Sequence, residues 1–523
     1  MTTQVNRRSF IGLSVAATAA AALAACTGNT APTQTTGADA HRIMPDNPLI
    51  AEYESRRTST GKTVSAQLTP AALSTSLDGK EITTWGYNGA LVAPLIRATV
   101  GDLLEAKVAN GLTDGTTVHW HGVALRNNDD GVQNVTQQPV APGADFTYNF
   151  RLPHPGTYWY HSHVEMQRAR ALYGALIIED PKEPLQYSRD WVIVLDDWLD
   201  GVTGTPDEVL QELSKGMSMA GMSGMSGGTS TSGMTGGMGQ GGMDMGHMLM
   251  GARSDFLGGD AGDVKFPFHL FNGRPPSQPE TLTAKPGEVI RLRIINAAGD
   301  TAYRVGIPGQ KLTLTHADGF PVAHRDVDAV VLGMGERIDA LLTVRDGITP
   351  VLALAEGKGQ LTYGLVATGI GTPPAAADLP AQLDGVVVDG GQLKADPSVT
   401  LPTKTPDRVH ELHLTGGMGK YDWGINGKRF DMAKPFESTF DLKIGERVQV
   451  KFINDTMMWH PMHLHGHTFQ VGDDGARKDT VIVRPKQTVT VQFDADNPGQ
   501  WLTHCHNAFH AVRGMMGVFS YTT

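Results

Sequence analysis

Three segments of the chain share one spacing of glycine and asparagine. In each, a Gly followed by an acidic residue precedes a strand-like run, and the run ends at an Asn nine residues after the Gly. These residues are Gly101 with Asn110, Gly287 with Asn296, and Gly445 with Asn454, and an Asn-Gly pair precedes them at Asn88, Asn272 and Asn426. Such a repeat, among short β-branched or aromatic runs divided by turn residues, predicts three related all-β domains of the sandwich or barrel type.

The repeat also sets the expected domain organisation. We expect domains at residues 46–183, 187–370 and 385–523. Residues 27–45 and 371–384 are rich in small residues and Pro, and they read as a flexible tether and a linker.

Paired histidines occupy matching places in the first and third domains. The four His-x-His pairs are His119 with His121, His161 with His163, His463 with His465, and His504 with His506. Residues i and i+2 of a strand point to one face, so each pair can aim two imidazoles at one place. One pair alone is a weak signal, but eight imidazoles in two related domains predict a multinuclear metal site. A zinc site closes at four ligands, so the number favours another imidazole-binding metal.

Cys505 lies between the last two of these histidines. Because side chains alternate along a strand, its thiol is expected to face a second site. His510 and Met515 follow it by five and ten residues, and His460 precedes His463 by three. Two His, one Cys and a distant Met form the blue-copper ligand set; the alternative is a buried structural cysteine. The first domain has Ser162, Gln167 and Leu172 at the places of Cys505, His510 and Met515.

Together these motifs resemble the four copper motifs of multicopper oxidases. The segments are His119-Trp120-His121-Gly122, His161-Ser162-His163, His460-Pro461-Met462-His463-Leu464-His465, and His504-Cys505-His506 with His510 and Met515. The resemblance covers nearly the whole chain after residue 26, and it implies three cupredoxin-like (Greek-key β-sandwich) domains and four copper ions.

The resemblance also implies which residues bind each copper. The type 1 ion would take His460, Cys505, His510 and Met515, and the type 2 ion His119 and His463. The two type 3 ions would take His121, His161 and His506, and His163, His465 and His504.

The implied reaction is oxidation of a substrate by single electrons, coupled to four-electron reduction of O2 to water. Cys505 is joined through the backbone to His504 and His506, which offers a covalent electron path between the sites. Asp130 resembles the acidic residue that the family places near the type 2 copper; the alternative is a turn aspartate. In copper-oxidising relatives an acidic residue directly follows the second type 1 histidine. Ala511 stands at that position here, so the sequence does not define a proton route on that side.

A methionine-rich segment, residues 216–250, interrupts the second domain. Its ten methionines are spaced by Gly, Ser and Thr, which cannot form a packed core, and thioethers select Cu(I). They are Met217, Met219, Met222, Met225, Met234, Met238, Met243, Met245, Met248 and Met250. Asp455, Met457 and Met458 form a second candidate Cu(I) site, with plain packing of the methionines as the alternative.

The first 26 residues resemble an export signal. Arg7-Arg8 begins a twin-arginine pattern, an apolar run follows, and Leu23-Ala24-Ala25-Cys26 resembles a lipoprotein cleavage site. We expect export by the twin-arginine route and a lipid anchor at Cys26 on the outer face of the cytoplasmic membrane. The alternative is ordinary cleavage with Cys26 incidental.

Composition narrows the function further. The 43 basic and 54 acidic residues give a net charge of −11, which argues against a nucleic-acid partner. The resemblance of the copper motifs, the methionine-rich segment and the export signal together imply a multicopper oxidase of the copper-tolerance type, which oxidises Cu(I) with O2. The alternatives are a laccase-like oxidase of phenols, aromatic amines or Fe(II), and a copper-sequestering lipoprotein without turnover.

Overall fold

A computed structural model describes residues 41–216, 246–369 and 371–523 of the protein. The described residues from Ile43 to Thr523 form one compact unit. The predicted export signal with Cys26, most of the predicted tether, and the methionines from Met217 to Met245 lie outside the described residues. Among the residues that are described, no helix has the length and apolar character needed to cross a membrane.

The first group of strands carries the first two His pairs. Its sheets have the orders β1-β5-β7 and β4-β9-β8-β6, and β2 pairs with β3. The strands are β1 (Thr63–Leu68), β2 (Pro70–Leu77), β3 (Lys80–Tyr87), β4 (Ala93–Thr99), β5 (Leu103–Ala109), β6 (His119–His121), β7 (Asp145–Arg151), β8 (Gly156–His161) and β9 (Tyr173–Glu179).

The second group forms two six-stranded sheets and one short ribbon. The sheets have the orders β13-β10-β15-β20-β17-β18 and β14-β22-β21-β16-β19-β23, and β11 pairs with β12. The strands are β10 (Arg189–Trp198), β11 (Arg253–Ser254), β12 (Gly259–Asp260), β13 (Phe268–Phe271), β14 (Thr281–Thr283), β15 (Val289–Asn296), β16 (Tyr303–Gly306), β17 (Leu312–Ala317), β18 (Phe320–Val327), β19 (Ala329–Leu332), β20 (Arg337–Thr343), β21 (Ile348–Ala355), β22 (Gln360–Ala367) and β23 (Val387–Asp389).

The third group carries the remaining His pairs and Cys505. Its sheets have the orders β25-β24-β27-β32-β29-β30 and β26-β34-β33-β28-β31. The strands are β24 (Arg408–Gly417), β25 (Asp422–Ile425), β26 (Thr439–Leu442), β27 (Arg447–Asn454), β28 (His460–Leu464), β29 (Phe469–Val471), β30 (Arg477–Lys478), β31 (Thr480–Val483), β32 (Thr488–Asp494), β33 (Gln500–Cys505) and β34 (Met516–Tyr521).

Helices are short in the described ranges. The α-helices are α1 (Pro48–Ser55), α2 (Pro206–Ser214) and α3 (Ala508–Val512). Helix α2 begins with a capping box, in which the Thr205 hydroxyl accepts from the Glu208 backbone N–H and the Glu208 carboxylate accepts from the Thr205 backbone N–H. The 3₁₀ turns are Asn127–Asp129, Gln167–Arg170, Ala376–Asp378, Gly390–Gln392 and Pro435–Glu437.

The sequence repeat has the same atomic role in all three groups. Gly101, Gly287 and Gly445 have φ values of 87°, 81° and 85°, a left-handed conformation that glycine adopts without strain. The Asn at each strand end bridges two carbonyls through its amide, with Nδ2–O distances of 2.7–3.0 Å in the three copies. The Asn-Gly pairs at Asn88, Asn272 and Asn426 have positive φ at both residues, as type I′ turns require. The repeat therefore fixes strand ends and turns.

The hydrophobic core joins the first and third groups of strands. One buried cluster contains Trp120 and Phe150 from the first group and Trp501 and Phe519 from the third. The second group has a core cluster of its own, built mainly from residues such as Leu292 and Val330. The all-β expectation is confirmed, and the shared core holds the two His-bearing sheets against each other.

Candidate metal centre

The strand registers set the His pairs opposite one another. On the first sheet β6 pairs antiparallel with β8, with His119 opposite His161. On the third group's sheet β28 pairs antiparallel with β33, with His463 opposite His504. Seven of the eight paired histidines are buried, and His163 is half-buried.

Imidazoles from the two domains interleave across this junction. The His119 ring stacks on His465 and the His121 ring stacks on His463, each with a centroid distance of 3.8 Å. His506 lies with its ring centroid 4.8 Å from that of His121. The eight imidazoles form one cluster, as the sequence predicted.

Four of these rings hold a buried nitrogen that has no hydrogen-bond partner. The atoms are His119 Nε2, His121 Nδ1, His161 Nε2 and His463 Nε2. The opposite ring nitrogen is bonded in every case: His119 Nδ1 to the Asp130 carbonyl (2.9 Å), His161 Nδ1 to the Ser162 carbonyl (2.8 Å), His463 Nδ1 to the Asp479 carbonyl (2.9 Å), and His121 Nε2 to an Asp479 carboxylate oxygen (3.1 Å). One nitrogen fixed by the protein and one left bare is the arrangement of metal-ligating histidines, so the residues present fit bound metal.

Ligand atoms also group as a metal would need. His163, His465 and His504 bring their ligand atoms within 4.8 Å of one another, which is one of the triads predicted from the sequence. Burial lowers the pKa of the imidazoles well below their usual range and keeps them neutral, as metal binding requires. This holds for His121, His161, His163, His465, His504 and His506.

Asp130 lies within this cluster. Its carboxylate oxygens are 3.1 Å from His119 Nδ1 and 3.0 Å from His465 Nδ1, and burial raises the pKa of this carboxyl. A Cβ on the next residue, Gly131, would come within 1.9 Å of the Val118 carbonyl oxygen, so the turn needs glycine. Asp130 is therefore both a turn residue and a contact of two candidate ligands.

The middle domain contributes charge rather than histidine. Arg337, at the start of β20, forms a bidentate pair with Asp479 at 2.7 and 2.6 Å, and Asp479 contacts His121. A Cβ on Gly122 would come within 2.4 Å of the Arg337 guanidinium, so the His-Trp-His-Gly motif ends in glycine where this side chain passes. The sequence analysis missed both charged residues, because neither belongs to a His motif.

Three of the four predicted type 1 ligands, His460, Cys505 and His510, meet on the other face of β33. His460 Nδ1 and His510 Nδ1 are 3.2 Å apart, and Cys505 Sγ is 3.6 and 3.7 Å from them. All three side chains are fully buried, and Cys505 is a free cysteine. Met515 is also buried, and its carbonyl accepts from the Cys505 backbone N–H at 3.0 Å. A thiol between two imidazole nitrogens suits a soft transition metal.

Each type 1 imidazole is held at its far nitrogen. His460 Nε2 is 2.8 Å from the Thr456 hydroxyl, and His510 Nε2 is 2.9 Å from the Asp263 carboxylate. The Tyr421 hydroxyl donates to Asp263 at 2.6 Å. Burial lowers the pKa of His510, but Asp263 and Cys505 outweigh it and raise that pKa to about 10. Asp263 was not predicted from the sequence, although it follows the methionine-rich segment closely.

The candidate Cu(I) residues lie in different surroundings. Met457 is 68% exposed, and the exposed Asp455 carboxylate is 2.7 Å from His413 Nδ1. Met458 is 4% exposed and packs in the shared hydrophobic core. Met248 is half-buried and Met250 is exposed. The other eight methionines of the segment lie outside the described residues: Met217, Met219, Met222, Met225, Met234, Met238, Met243 and Met245.

A half-open pocket of about 610 Å³ reaches the histidine cluster from the surface. Its buried end includes His161, His504 and Arg168, and its outer part includes the exposed Arg429. This pocket gives a small molecule a path to the cluster.

Comparison with known proteins places this fold and site in one family. The multicopper oxidase family matches residues 71–183, 189–350 and 403–523. The chain is similar to the multicopper oxidase MmcO of Mycobacterium tuberculosis, with 42% identity over 98% of this chain and 95% of that protein. The copper resistance protein A homolog of Pseudomonas syringae pv. tomato is 29% identical, over 86% of this chain and 90% of its own length.

A solved structure agrees with the fold. The multicopper oxidase Fet3p, which functions in iron import, matches with a TM-score of 0.71 at 20% identity, over 88% of this chain and 90% of that chain. The protein belongs to the multicopper oxidase family, a family of oxidoreductases that use O2 as electron acceptor and copper as cofactor. The expectation of three cupredoxin-like domains is confirmed. The domain boundaries given above stay a prediction.

Proposed function

We propose that this oxidase oxidises Cu(I) to Cu(II) and thereby protects the cell from copper. The observation that carries the proposal is the path between two centres: the Cys505 thiol lies between His460 and His510, while its chain neighbours His504 and His506 belong to the histidine cluster. A substrate electron accepted at the first centre therefore has one peptide link to cross, from Cys505 to either His504 or His506.

The proposal includes four bound copper ions, one at the first centre and three at the histidine cluster. His460, Cys505, His510 and Met515 would hold the type 1 ion, and the eight clustered histidines would hold one type 2 and two type 3 ions in the sets predicted from the sequence. Bound copper supplies the one-electron chemistry that takes electrons from a reductant and gives four of them to O2, forming water.

The protein supplies orientation and protons around these ions. Asp130 faces the imidazoles of His119 and His465, where a carboxyl can hold a proton beside the cluster. Asp479 holds His121 from behind and is itself held by Arg337. The pocket that reaches His161 and His504 admits O2.

The connection of the methionine-rich segment supports Cu(I) as the substrate. Where the segment rejoins the fold, the Leu249 N–H donates to the Asp263 carbonyl and the Lys265 N–H to the His247 carbonyl, both at 2.8 Å. Asp263 is the residue whose carboxylate contacts His510. The described end of the segment, which carries the Met248 thioether, therefore joins the fold beside a contact of His510, and thioethers are ligands that select Cu(I). The exposed Met457, close to His460 in sequence, offers a further thioether.

We further propose that the enzyme works in the cell envelope. The twin-arginine pattern and the Leu-Ala-Ala-Cys ending support export and a lipid anchor at Cys26. That location places the enzyme where copper enters the cell.

The test compares kcat/KM for three substrates between the wild type and a variant that lacks the thioethers. A variant in which the eight methionines of residues 217–245 are replaced by Ser keeps the length of the segment and serves beside the wild type. At limiting Cu(I), we expect its kcat/KM for Cu(I) to fall about tenfold or more, which corresponds to about 1.4 kcal/mol of lost binding. Its kcat/KM for a phenol and for Fe(II) should stay unchanged.

Equal losses on all three substrates would contradict the Cu(I) role and favour general damage to the type 1 site. An unchanged kcat/KM for Cu(I) would also overturn it, and a wild type that turns over phenol or Fe(II) far better than Cu(I) would favour a laccase-like or ferroxidase function.

A further inference from the structure

Asp300 is a fully buried residue of the middle domain, between β15 and β16. Its carboxylate accepts hydrogen bonds from three separate parts of the chain. The backbone N–H groups of Asp263 and Val264 donate to it at 3.0 and 3.1 Å. Lys358 Nζ and Asn507 Nδ2 each donate at 2.7 Å. Because Asn507 belongs to the third domain, this carboxylate joins the middle domain to the chain segment that carries His510.

Asn507 connects the carboxylate to the helix of His510. It is the N-cap of α3, and its Oδ1 accepts from the His510 backbone N–H at 3.2 Å and from that of the preceding residue at 3.0 Å. Its side-chain amide donates to Asp300. The Ala508 N–H also donates to the carbonyl of Gly299, the residue before Asp300, at 2.8 Å. The middle domain therefore fixes the first turn of α3.

The same carboxylate fixes the residue on the far side of the His510 imidazole. The Asp263 carboxylate contacts His510 Nε2 at 2.9 Å, and the Asp263 backbone N–H donates to Asp300. Asp300 therefore acts on His510 through two contacts: the helix backbone that carries the imidazole and the group that holds its outer nitrogen. The other nitrogen, Nδ1, lies 3.7 Å from Cys505 Sγ.

The second type 1 imidazole is held by its own strand end instead. His460 Nε2 is 2.8 Å from the Thr456 hydroxyl, and that hydroxyl donates to Asn454 Oδ1 at 2.8 Å. These three residues lie within positions 454–460. The orientation of His460 is therefore set locally, whereas that of His510 depends on contacts from another domain.

Lys358 balances the charge of the Asp300 carboxylate. Its side chain is 2% exposed, and its Nζ lies 2.7 Å from Asp300 Oδ2. The same Nζ donates to the Thr301 hydroxyl at 3.0 Å and to the Val264 carbonyl at 3.4 Å. Four donor groups, one of them cationic, therefore hold this carboxylate in a single place, and charge-assisted hydrogen bonds are the strong ones.

This arrangement has a consequence for a copper ion bound by His510. Outer partners of metal-bound imidazoles orient the ring and raise its basicity. The Asp263 carboxylate has this position at His510, and a more basic imidazole stabilises Cu(II) relative to Cu(I). Loosening Asp263 and α3 should therefore raise the reduction potential of the type 1 ion and let the imidazole adopt more than one orientation.

We propose that Asp300 is a positioning residue of the type 1 site, which orients the His510 imidazole from the middle domain through Asn507 and Asp263. The inference rests on the proposed function in that His510 binds the type 1 copper. It is independent of which reductant supplies the electrons.

Asp300→Asn tests this role, because it keeps the size of the side chain and removes its charge. We expect the type 1 reduction potential to rise relative to the wild type, and the EPR spectrum of the oxidised protein to show two type 1 signals instead of one. Glu356→Gln is the matched control, since Glu356 is a buried carboxylate of the same domain that pairs with Arg304 at 2.7 Å. It should lower the unfolding temperature and leave the potential and the EPR signal at wild-type values.

Asn507→Ser separates the contact with Asp300 from the helix cap. A serine hydroxyl still accepts from the first N–H groups of α3, but serine has no amide that donates to Asp300 at the same time. We expect the potential to shift in the same direction as in Asp300→Asn. The double variant should shift no further than Asp300→Asn alone, because both changes break one contact.

Hydrogen exchange of the copper-free protein gives a readout that needs no turnover. The backbone amides of residues 508–512 and 263–264 should exchange about tenfold or more faster in Asp300→Asn, since a charged hydrogen bond that holds them is lost. In Glu356→Gln they should exchange at the wild-type rate.

The outcomes separate this inference from the proposed function. A wild-type potential and a single type 1 signal in Asp300→Asn overturn the positioning role and leave the oxidase proposal standing. Equal shifts in Asp300→Asn and Glu356→Gln also overturn it, and Asn507→Ser decides the question if Asp300→Asn yields no folded protein. A wild type that does not oxidise Cu(I), together with a raised potential in Asp300→Asn, overturns the proposed substrate and supports the positioning role.

Discussion

Four matched positions of the first and third domains have different roles. They form a hydrogen-bonded cluster in the first domain and the candidate type 1 copper site in the third. In the third domain His460, Cys505 and His510 bring three lone pairs within 3.2–3.7 Å of one another. In the first domain, Ser162 and Gln167 stand at the matched places, and Thr116 occupies the place of His460. The hydroxyls of Thr116 and Ser162 both donate to Gln167 Oε1 at 2.7 Å, which makes a closed polar cluster.

The backbone around these positions is the same in both domains. The Ser162 N–H donates to the Leu172 carbonyl at 2.9 Å, and the Cys505 N–H donates to the Met515 carbonyl at 3.0 Å. The Gln167 amide also donates to the Gly115 carbonyl at 2.8 Å, so the first cluster satisfies its own polar groups. Side chains alone therefore decide whether this position in the fold is a hydrogen-bonded polar cluster or a metal site.

Replacing Cys505 by Ser gives the third domain the residue of the first, and it should have the largest effect. Without the thiolate the type 1 ligand set is lost, and we expect O2 uptake to fall about 10³-fold or more, as when one member of a catalytic unit is removed. The blue absorption should vanish, while copper bound by the eight clustered histidines stays.

The matched change Ser162→Ala in the first domain is the control. It should leave the blue absorption and the copper content at wild-type values. A Cys505→Ser protein that keeps its blue absorption would refute the ligand assignment.

Asp130 tests the junction between the two domains. Asp130→Asn keeps the shape but removes the charge that faces His119 and His465, and loss of such a partner costs about 10–100-fold in activity or metal affinity. We expect kcat with Cu(I) to fall in that range, measured at equal copper content. Asp129→Asn is the neighbouring control, because Asp129 pairs with Arg126 and should affect the unfolding temperature rather than kcat. Equal kcat for Asp130→Asn and wild type would reduce Asp130 to a turn residue.

A substitution at Gln167 tests the polar cluster that it forms with Thr116 and Ser162 in the first domain. Gln167→Leu leaves the buried hydroxyls of Thr116 and Ser162 without their shared acceptor, which should lower the free energy of unfolding by about 1–3 kcal/mol. Denaturant unfolding measures the loss. The visible spectrum should be unchanged, whereas His510→Gln in the third domain should abolish the blue colour. Bleaching by Gln167→Leu would show that the two positions are not independent.

The smallest effect concerns the third domain's contact with the middle domain. Lys478 lies 3.1 Å from Glu336, and burial, opposed by Lys478, raises the pKa of Glu336 from 4.5 to about 7. A raised carboxyl pKa contributes stability below 4.5 that is lost as the pH rises through 7. Glu336→Gln lacks this loss, so its unfolding free energy relative to wild type should rise between pH 4.5 and 7. A difference that stays flat across this range would contradict a shifted Glu336.

The sequence predicted the parts of the site that repeat or pair in the chain. The His-x-His pairs and Cys505 fall where alternation along a strand put them, because period-two geometry is local. The Gly and Asn of the repeat fall at turns and strand ends, which are also local features. Asp130 was also named, from its resemblance to the acidic residue that the family places near the type 2 copper. These residues lie on strand ends or turns whose backbone the sequence fixes over short distances.

The residues that hold the ligands from behind were not predicted. Asp263 meets His510 across 247 positions, and Arg337 meets Asp479 across 142. Such contacts depend on how separate domains pack, and a lone Asp or Arg in sequence carries no periodic signal. Arg168 was missed for the same reason, since its partner His506 lies 338 positions away.

Anomalous diffraction at the copper edge from crystals of the copper-loaded protein tests the central comparison most directly. The account predicts one copper among His460, Cys505 and His510, three among the eight clustered histidines, and none at Thr116, Ser162 and Gln167. Absence of copper at Cys505, or copper at the first domain's polar cluster, would contradict it.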